Sequence, residues 1–319
     1  SQYSAAVCNL YRSGNVYREQ RVLIRKAEPE APVPAEALAA TAEVARLVPE
    51  HAGWYQATAG PSAAATFDLL RTKLLEPHLT AGPASEIAPQ VQLTNGKAGE
   101  GADLETRIDQ PVVRSQTSRE HSALQTLLEK MPLRAALQVQ STSRDPGGVF
   151  IRTASAVALV AASDWNEAKV RSAISEYVRP TLTAGDLGLG WQNKPGYQTL
   201  DGMLPIAVAV RGNYLLVSND ASTLEEMLAN FAHKTTEQPA EVLSGFNHER
   251  ERPNFIRFAE VVDHPNTAAA NAGGRNQPQF FSGTVASLSS SLARVARETI
   301  AVRGDPHEVR QTVTYEWLP

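Results

Sequence analysis

Alternating apolar and polar residues mark two strands at the start of the chain. They cover residues 3–10 and 16–24, and the segment between them reads Arg12-Ser13-Gly14-Asn15. Gly and Asn accept the positive φ that a tight turn requires, so this pattern predicts a β-hairpin.

Helical spacing of apolar residues follows the hairpin. An Ala-rich helix is predicted over 34–47, a short strand over 54–58, and a second helix from the N-cap Ser62 to Pro77. A third helix is predicted over 117–131, with Ser118 and Glu120 near its start and Pro132 after its end.

The second half of the chain alternates between hairpins and helices. Ser163-Asp164 is predicted to cap a helix that ends near residue 178, and Ser222 to cap one that ends at 231. Another helix is predicted over 282–296. The predicted strands are 134–142, 149–161, 204–210, 214–218, 255–262, 299–302 and 308–317.

These elements predict an α+β fold with antiparallel sheets built from β-hairpins and helices packed on one face. The break at Pro132 divides the chain into an N-terminal α+β region, 1–132, and a C-terminal α+β domain, 133–319. Because the sequence is already strand-like at Tyr3, we expect the first region to continue a missing upstream segment.

A similar motif occurs at three turns. An apolar residue and Arg stand close before a turn glycine at Gly14, Gly212 and Gly304. One explanation is an ancestral duplication of a helix-plus-hairpin unit, and the other is that hairpins simply need Gly turns.

Two polar segments, 80–111 and 264–279, are predicted to be long loops, which suit interaction surfaces or flexible connections. The first contains an acidic cluster, Glu100, Asp103, Glu105 and Asp109. Its spacing is not that of an EF-hand, so it is a poor calcium site.

Composition and charge exclude some functional classes. The chain is 42% hydrophobic and 20% charged, which suits a folded protein with a core. Its 34 acidic and 30 basic residues give a net charge of -4 and are well mixed along the chain. No basic stripe stands out, so we expect no nucleic-acid partner. No apolar run reaches 18 residues, so we expect no transmembrane segment in this chain. The single cysteine, Cys8, is interpreted as a small structural side chain buried in a strand.

No catalytic, metal or nucleotide motif is complete. His248-Glu249 and His307-Glu308 begin like zinc-protease helices, but neither has a second His four residues after the first. The first segment is interpreted as a solvated charged stretch and the second as part of an edge strand.

Other candidates fail in the same way. Gly188-Leu189-Gly190 lacks the third glycine of a dinucleotide fingerprint, and Gly96-Lys97 lacks the rest of a phosphate loop. Asp263-His264 and Glu120-His121 are the remaining general-base pairs, and ordinary solvent-exposed polar residues explain them better. The sequence therefore predicts no catalytic residue, no cofactor and no metal.

The segment from Gly196-Tyr197-Gln198 to Tyr214-Leu215-Leu216-Val217-Ser218-Asn219-Asp220, with the helix after it, resembles a family of uncharacterised bacterial extracytoplasmic proteins. The resemblance covers about a fifth of the chain. It implies a location in the periplasm or at the cell surface, with an N-terminal leader or anchor, and it implies no catalytic residues.

We therefore expect a non-enzymatic binding or scaffold protein of the cell envelope, an accessory subunit of a membrane-associated complex whose partners are other proteins. One alternative is a hydrolase or transferase with a site assembled from distant residues, which a convergent His/Asp/Glu cluster would favour. The other is a lipid or pigment carrier, which burial of Trp54, Trp165, Trp191 and Trp317 in a core would disfavour.

Overall fold

The structure is a computed structural model of the 319-residue chain. It describes residues 3–27, 32–75, 122–144, 151–182, 190–200, 205–254 and 293–319. The predicted strand 255–262, the acidic cluster at 100–109, the pairs at 120–121 and 263–264, and both long loops lie outside the described residues.

The described strands form one twelve-stranded sheet in which every neighbouring pair is antiparallel. Its order is β1-β2-β12-β11-β10-β3-β4-β5-β9-β8-β7-β6. In chain order the strands are β1 Tyr3–Ser13, β2 Val16–Arg25, β3 Trp54–Ala59, β4 Leu133–Arg144, β5 Ile151–Ala161, β6 Trp191–Lys194, β7 Tyr197–Leu200, β8 Ile206–Arg211, β9 Tyr214–Ser218, β10 Val242–Asn247, β11 Val295–Gly304 and β12 Glu308–Trp317.

Within the described ranges a helical segment at 248–254 follows β10, and five further helices connect the strands. They are α1 Ala35–Ala45, α2 Ala63–Leu70, α3 Ala123–Glu129, α4 Glu167–Leu182 and α5 Ala221–Ala229. A π-helical turn, Arg71–Leu75, extends α2, and a 3-10 turn, Asn230–Ala232, extends α5.

The helices cover both faces of the sheet, so the prediction of helices on one face was wrong. We call the side that carries α1 and α5 the front face, and the side that carries α2, α3 and α4 the back face. The reason lies in the central strands, where residues 156–161 of β5 are all buried. Consecutive side chains of a strand point to opposite faces, so a continuous apolar run needs cover on both sides.

Several sequence predictions are confirmed. Residues 3–10 and 16–24 form the first hairpin, closed by Gly14 at φ 60°. Gly212, at φ 57°, closes the hairpin of β8 and β9 in the same way. Ser62 caps α2, and its side chain accepts a hydrogen bond from the Ala65 amide.

Three N-caps differ from the prediction. Asp220 rather than Ser222 caps α5 and accepts from the Thr223 amide. Asn166 rather than Ser163-Asp164 accepts from the first turn of α4, and Ser122 caps α3. In each case the side-chain oxygen that stands three residues before an unpaired amide makes the bond.

The charged stretch at 248–252 is also corrected. Residues 248–254 are helical, and Glu251 is buried with its carboxylate accepting from the amide and hydroxyl of Thr142. Gly53 leaves the space for this carboxylate, because a Cβ there would lie 1.9 Å from Glu251 Oε1.

Two further corrections concern the C-terminal hairpin. His307 precedes β12, which lies inside the sheet between β2 and β11 and is not an edge strand. Val295 begins β11, so the predicted helix 282–296 does not reach its predicted end.

Strands from both halves of the chain alternate in this sheet. β2 pairs with β12, and β3 lies between β10 and β4. The domain boundary at Pro132 and the internal duplication stay predictions.

Candidate binding surface

The front face changes character at β3. From β4 to β8 it packs under α1 and α5, and Ala57 of β3 and Leu243 of β10 belong to the same core, whereas from β11 to β1 it presents mainly polar side chains. One cross-strand row contains Tyr55, Gly245, Thr299, Thr314, Arg18 and Tyr11, each opposite the next on a neighbouring strand. Five strand spacings separate the two tyrosines, a span of about 24 Å.

The neighbouring row completes the floor of this surface. It begins at Ala57, which is fully buried under the helices, and its remaining members, Leu243, Ala301, Thr312, Gln20 and Asn9, belong to the floor. We call the surface formed by both rows from β3 to β1, with its wall at 236–238, the polar trough.

Two depressions lie along the polar trough. One has a cavity volume of about 360 Å³ and reaches from Tyr55 to Arg18, and the other has about 570 Å³ and reaches from Gln20 to Tyr11. Arg18 and Gln20 line both, so the depressions adjoin at these side chains.

The wall is held by contacts to both neighbours. The Thr235 hydroxyl donates to the Ala42 carbonyl of α1, and Arg303 of β11 donates to the Pro239 carbonyl. The segment between these anchors lines the smaller depression near Tyr55 with the side chains of Thr236, Glu237 and Gln238. The trough is therefore bounded by an anchored segment at one end and opens toward β1.

Tyr55 forms the closed end of the polar trough. A Cβ at Gly245 would lie 2.4 Å from Tyr55 Cε1, so the ring crosses β10 in the space that the glycine leaves. Burial raises the pKa of Tyr55 to about 12, and the nearby carboxylates of Glu237 and Glu316 add to this effect while Arg297 opposes it.

A titration prediction follows from this environment. Tyr55 holds its proton in the folded state above the ordinary tyrosine pKa, so its contribution to stability is complete below that value and is lost as the pH rises to about 12. The pKa values of Tyr197, Tyr214 and Tyr315 are also raised, so ultraviolet titration should show a group of late-ionising tyrosines from which the component near pH 12 is missing in Tyr55→Phe. An unchanged titration curve in that variant would contradict the buried placement.

Arg18 provides a free cation on the floor where the two depressions meet, one strand from Tyr11 and four strands from Tyr55. In the part of the chain that the structure describes, it has neither an ion pair nor a hydrogen-bond partner. Other arginines nearby are engaged: Arg303 donates to Pro239, and Arg310 pairs with Glu308 at 2.7 Å. The guanidinium of Arg18 is therefore available to an anion.

Strand β1 is the second exposed feature of this end of the molecule. It is eleven residues long and pairs only with β2 among the described strands. Leu10, Val7 and Tyr11 are 69%, 53% and 52% exposed. Charged residues and Pro commonly protect a sheet edge, and β1 contains no Pro and a single charged residue, Arg12, near its end.

The hairpin register shows which backbone groups of β1 face outward. Ser13 and Val16 close a two-residue turn, so they form a hydrogen-bonded pair, and bonded pairs recur at every second residue. The amides and carbonyls of Ala6, Cys8, Leu10 and Arg12 therefore point away from β2. They form a row of unpaired donors and acceptors along the edge.

A His/Asp/Glu cluster does exist, at the start of α5. His51 Nδ1 lies 2.5 Å from Glu226, its Nε2 lies 3.4 Å from the Thr223 hydroxyl, and that hydroxyl donates to Asp220. Thr223 is buried, with 1% of its surface exposed, so no substrate reaches its oxygen.

The cluster serves the N-terminus of α5. Burial works to raise the pKa of Asp220, but hydrogen bonds from Ser222 and Thr223 and the charge of His51 outweigh it and hold that pKa below its ordinary value. An ionised N-cap that accepts from the Thr223 amide stabilises the helix start. This arrangement gives the enzyme alternative no support.

Other predicted features have mixed outcomes. Cys8 lies in a strand as predicted but is exposed, as is every residue of β1 after Tyr3. Trp165 is buried, whereas Trp54, Trp191 and Trp317 are half-buried. The described residues contain no group of three or more His, Cys, Asp and Glu side chains placed to hold a metal. Within the same ranges, no helix has both the length and the apolarity to cross a membrane.

Comparison with protein-family models, with curated proteins and with solved structures finds no match. The functional argument therefore rests on the polar trough, formed by residues far apart in the sequence, and on the contiguous edge strand β1.

Proposed function

We propose that this protein is a non-enzymatic binding protein that receives an extended segment of a partner protein along β1. The observation that carries the proposal is the long edge with outward backbone groups at every second residue. A partner strand pairs with such groups by adding itself to the sheet. The exposed Leu10 and Val7 then provide apolar contacts on the two faces of the new strand pair.

The contrast with the other edge supports this assignment. β6 has only four residues, including Lys194, and is followed by Pro195. A short strand with a lysine is a poor template for strand addition. Of the two edges of this sheet, β1 therefore has the properties of a docking edge and β6 those of a protected edge.

We further propose that the partner belongs to a membrane-associated complex of the cell envelope, in which this chain is an accessory subunit. The support for an extracytoplasmic location is the resemblance of residues 196–220 to bacterial envelope proteins.

The test compares proline substitutions at the two edges. Leu10→Pro removes an outward amide of β1, and Asn193→Pro removes an outward amide of β6, because Lys194 and Tyr197 close the β6–β7 turn as a bonded pair. We expect a protein that co-purifies stoichiometrically with the unaltered chain from fractionated cells to be lost with Leu10→Pro and retained with Asn193→Pro.

Circular dichroism controls for folding, since proline at an outward edge position leaves the ladder to β2 intact. Retention of the partner by folded Leu10→Pro would contradict docking on β1. Recovery of the unaltered chain from the cytoplasmic fraction with nothing bound would contradict the accessory-subunit proposal.

A further inference from the structure

We propose that the polar trough binds a glycan chain that carries carboxylate groups. This inference goes beyond the docking of a protein on β1, because it uses the front face of the sheet rather than its edge. It rests on the chemistry of the floor, on the two tyrosines at its ends and on the unpaired guanidinium between them.

The floor suits a ligand with many hydroxyl groups. Thr312, Thr314, Thr299 and Gln20 offer side chains that both donate and accept hydrogen bonds. Glu237 adds an acceptor at the wall. A sugar hydroxyl also donates and accepts, so each can pair with a side chain of this floor.

The two tyrosines suit the less polar faces of sugar rings. Tyr11 is half exposed at the open end, and Tyr55 lies across Gly245 at the closed end. Aromatic rings give an apolar surface with a polar tip, which matches a ring that has C–H groups on one face and hydroxyls at its rim. Their separation of about 24 Å favours an extended chain over a single sugar.

The charges select a weakly acidic chain. Arg18 stands between the two depressions without a partner in the described ranges, and a guanidinium binds a carboxylate through two parallel hydrogen bonds. Glu237 at the wall would repel a densely charged polyanion such as a nucleic acid. In a glycan with spaced carboxylates, one carboxylate can pair with Arg18 while an uncharged sugar lies beside Glu237.

A peptide fits this surface less well. The backbone groups of β2, β12 and β11 are engaged in the ladders to their neighbours, so a peptide lying across these strands finds no backbone partner. Its regularly spaced amides and carbonyls would depend on the floor side chains alone, whereas the hydroxyls of a glycan can rotate to suit those side chains.

The experiment uses three probes on the full chain. They are a hexamer in which glucuronic acid alternates with N-acetylglucosamine, a neutral hexamer of N-acetylglucosamine and a hexaglutamate peptide, each titrated by calorimetry. We expect the acidic glycan to bind tightest and Arg18→Gln to weaken it about tenfold or more, as the loss of a charged hydrogen-bonded pair requires.

The matched control is Arg21→Gln. Arg21 lies on the same strand but on the back face, where it pairs with Glu19 at 2.6 Å. We expect this variant to bind the acidic hexamer within about twofold of the unaltered chain, because an arginine on the other face makes no contact with the trough.

Three outcomes would overturn the proposal: no binding of the acidic hexamer, equal binding of the glutamate peptide or the neutral hexamer, and equal weakening by Arg18→Gln and Arg21→Gln. Arg18→Gln separates the two proposals. It should weaken glycan binding and leave the partner protein bound on β1, so failure of one proposal is distinguishable from failure of the other.

Discussion

Truncating Leu137 or Leu159 to alanine will each lower the free energy of unfolding by about 2–5 kcal/mol. Both side chains are fully buried, Leu137 in the core under α1 and α5 and Leu159 in the core under α2, α3 and α4. They lie on neighbouring strands but on opposite faces of the sheet. Each truncation therefore removes packing from a different core.

The matched control is Leu10→Ala, which removes the same atoms from an exposed site on β1. We expect it to change the free energy of unfolding by no more than about 0.5 kcal/mol. Urea denaturation followed by circular dichroism measures all three. If either Leu137→Ala or Leu159→Ala behaved like the control, the sheet would be covered on one face only, and the architecture described above would be wrong.

Gly245→Val will displace Tyr55 and destabilise the fold by about 1–3 kcal/mol. The reason is steric, since even a Cβ at this position lies 2.4 Å from Tyr55 Cε1 and 3.0 Å from its hydroxyl. Once the ring leaves the closed end of the trough, the pKa of Tyr55 should fall toward its ordinary value because the burial that raises it is lost.

Two comparisons check the cause of this effect. Gly190→Val is the control, because nothing lies within 4 Å of a Cβ at that position. Combining Gly245→Val with Tyr55→Ala should cost less than the sum of the two single changes, since the clash is then absent. Strict additivity would show that the ring does not occupy the space above Gly245.

The hairpins could be predicted because their signals are local. Gly14 and Gly212 adopt the positive φ that their turns require, and alternation marks the flanking strands. The two-faced core also had a local signal, the unbroken apolar runs of β5 and β8. The prediction of helices on one face overlooked this signal, because a run without polar positions indicates burial on both faces.

Strand β10 was missed because Gly245 interrupts its pattern. A glycine weakens a strand unless another group needs the space, and here that group is the ring of Tyr55, 190 positions earlier in the chain. The polar trough was missed because it too depends on contacts between residues that are distant in the sequence. Arg18, Tyr55, Thr299 and Thr314 meet only through the order of strands in the sheet, which no short stretch of sequence specifies.

Hydrogen exchange at the amides of β1 tests the central claim most directly. In the isolated protein we expect Asn9 and Tyr11 to be protected by β2 and Cys8 and Leu10 to exchange rapidly. In the protein recovered with its partner, Cys8 and Leu10 should become protected as well, because a partner strand then accepts their hydrogen bonds. Continued rapid exchange at both amides in the complex would contradict docking on this edge.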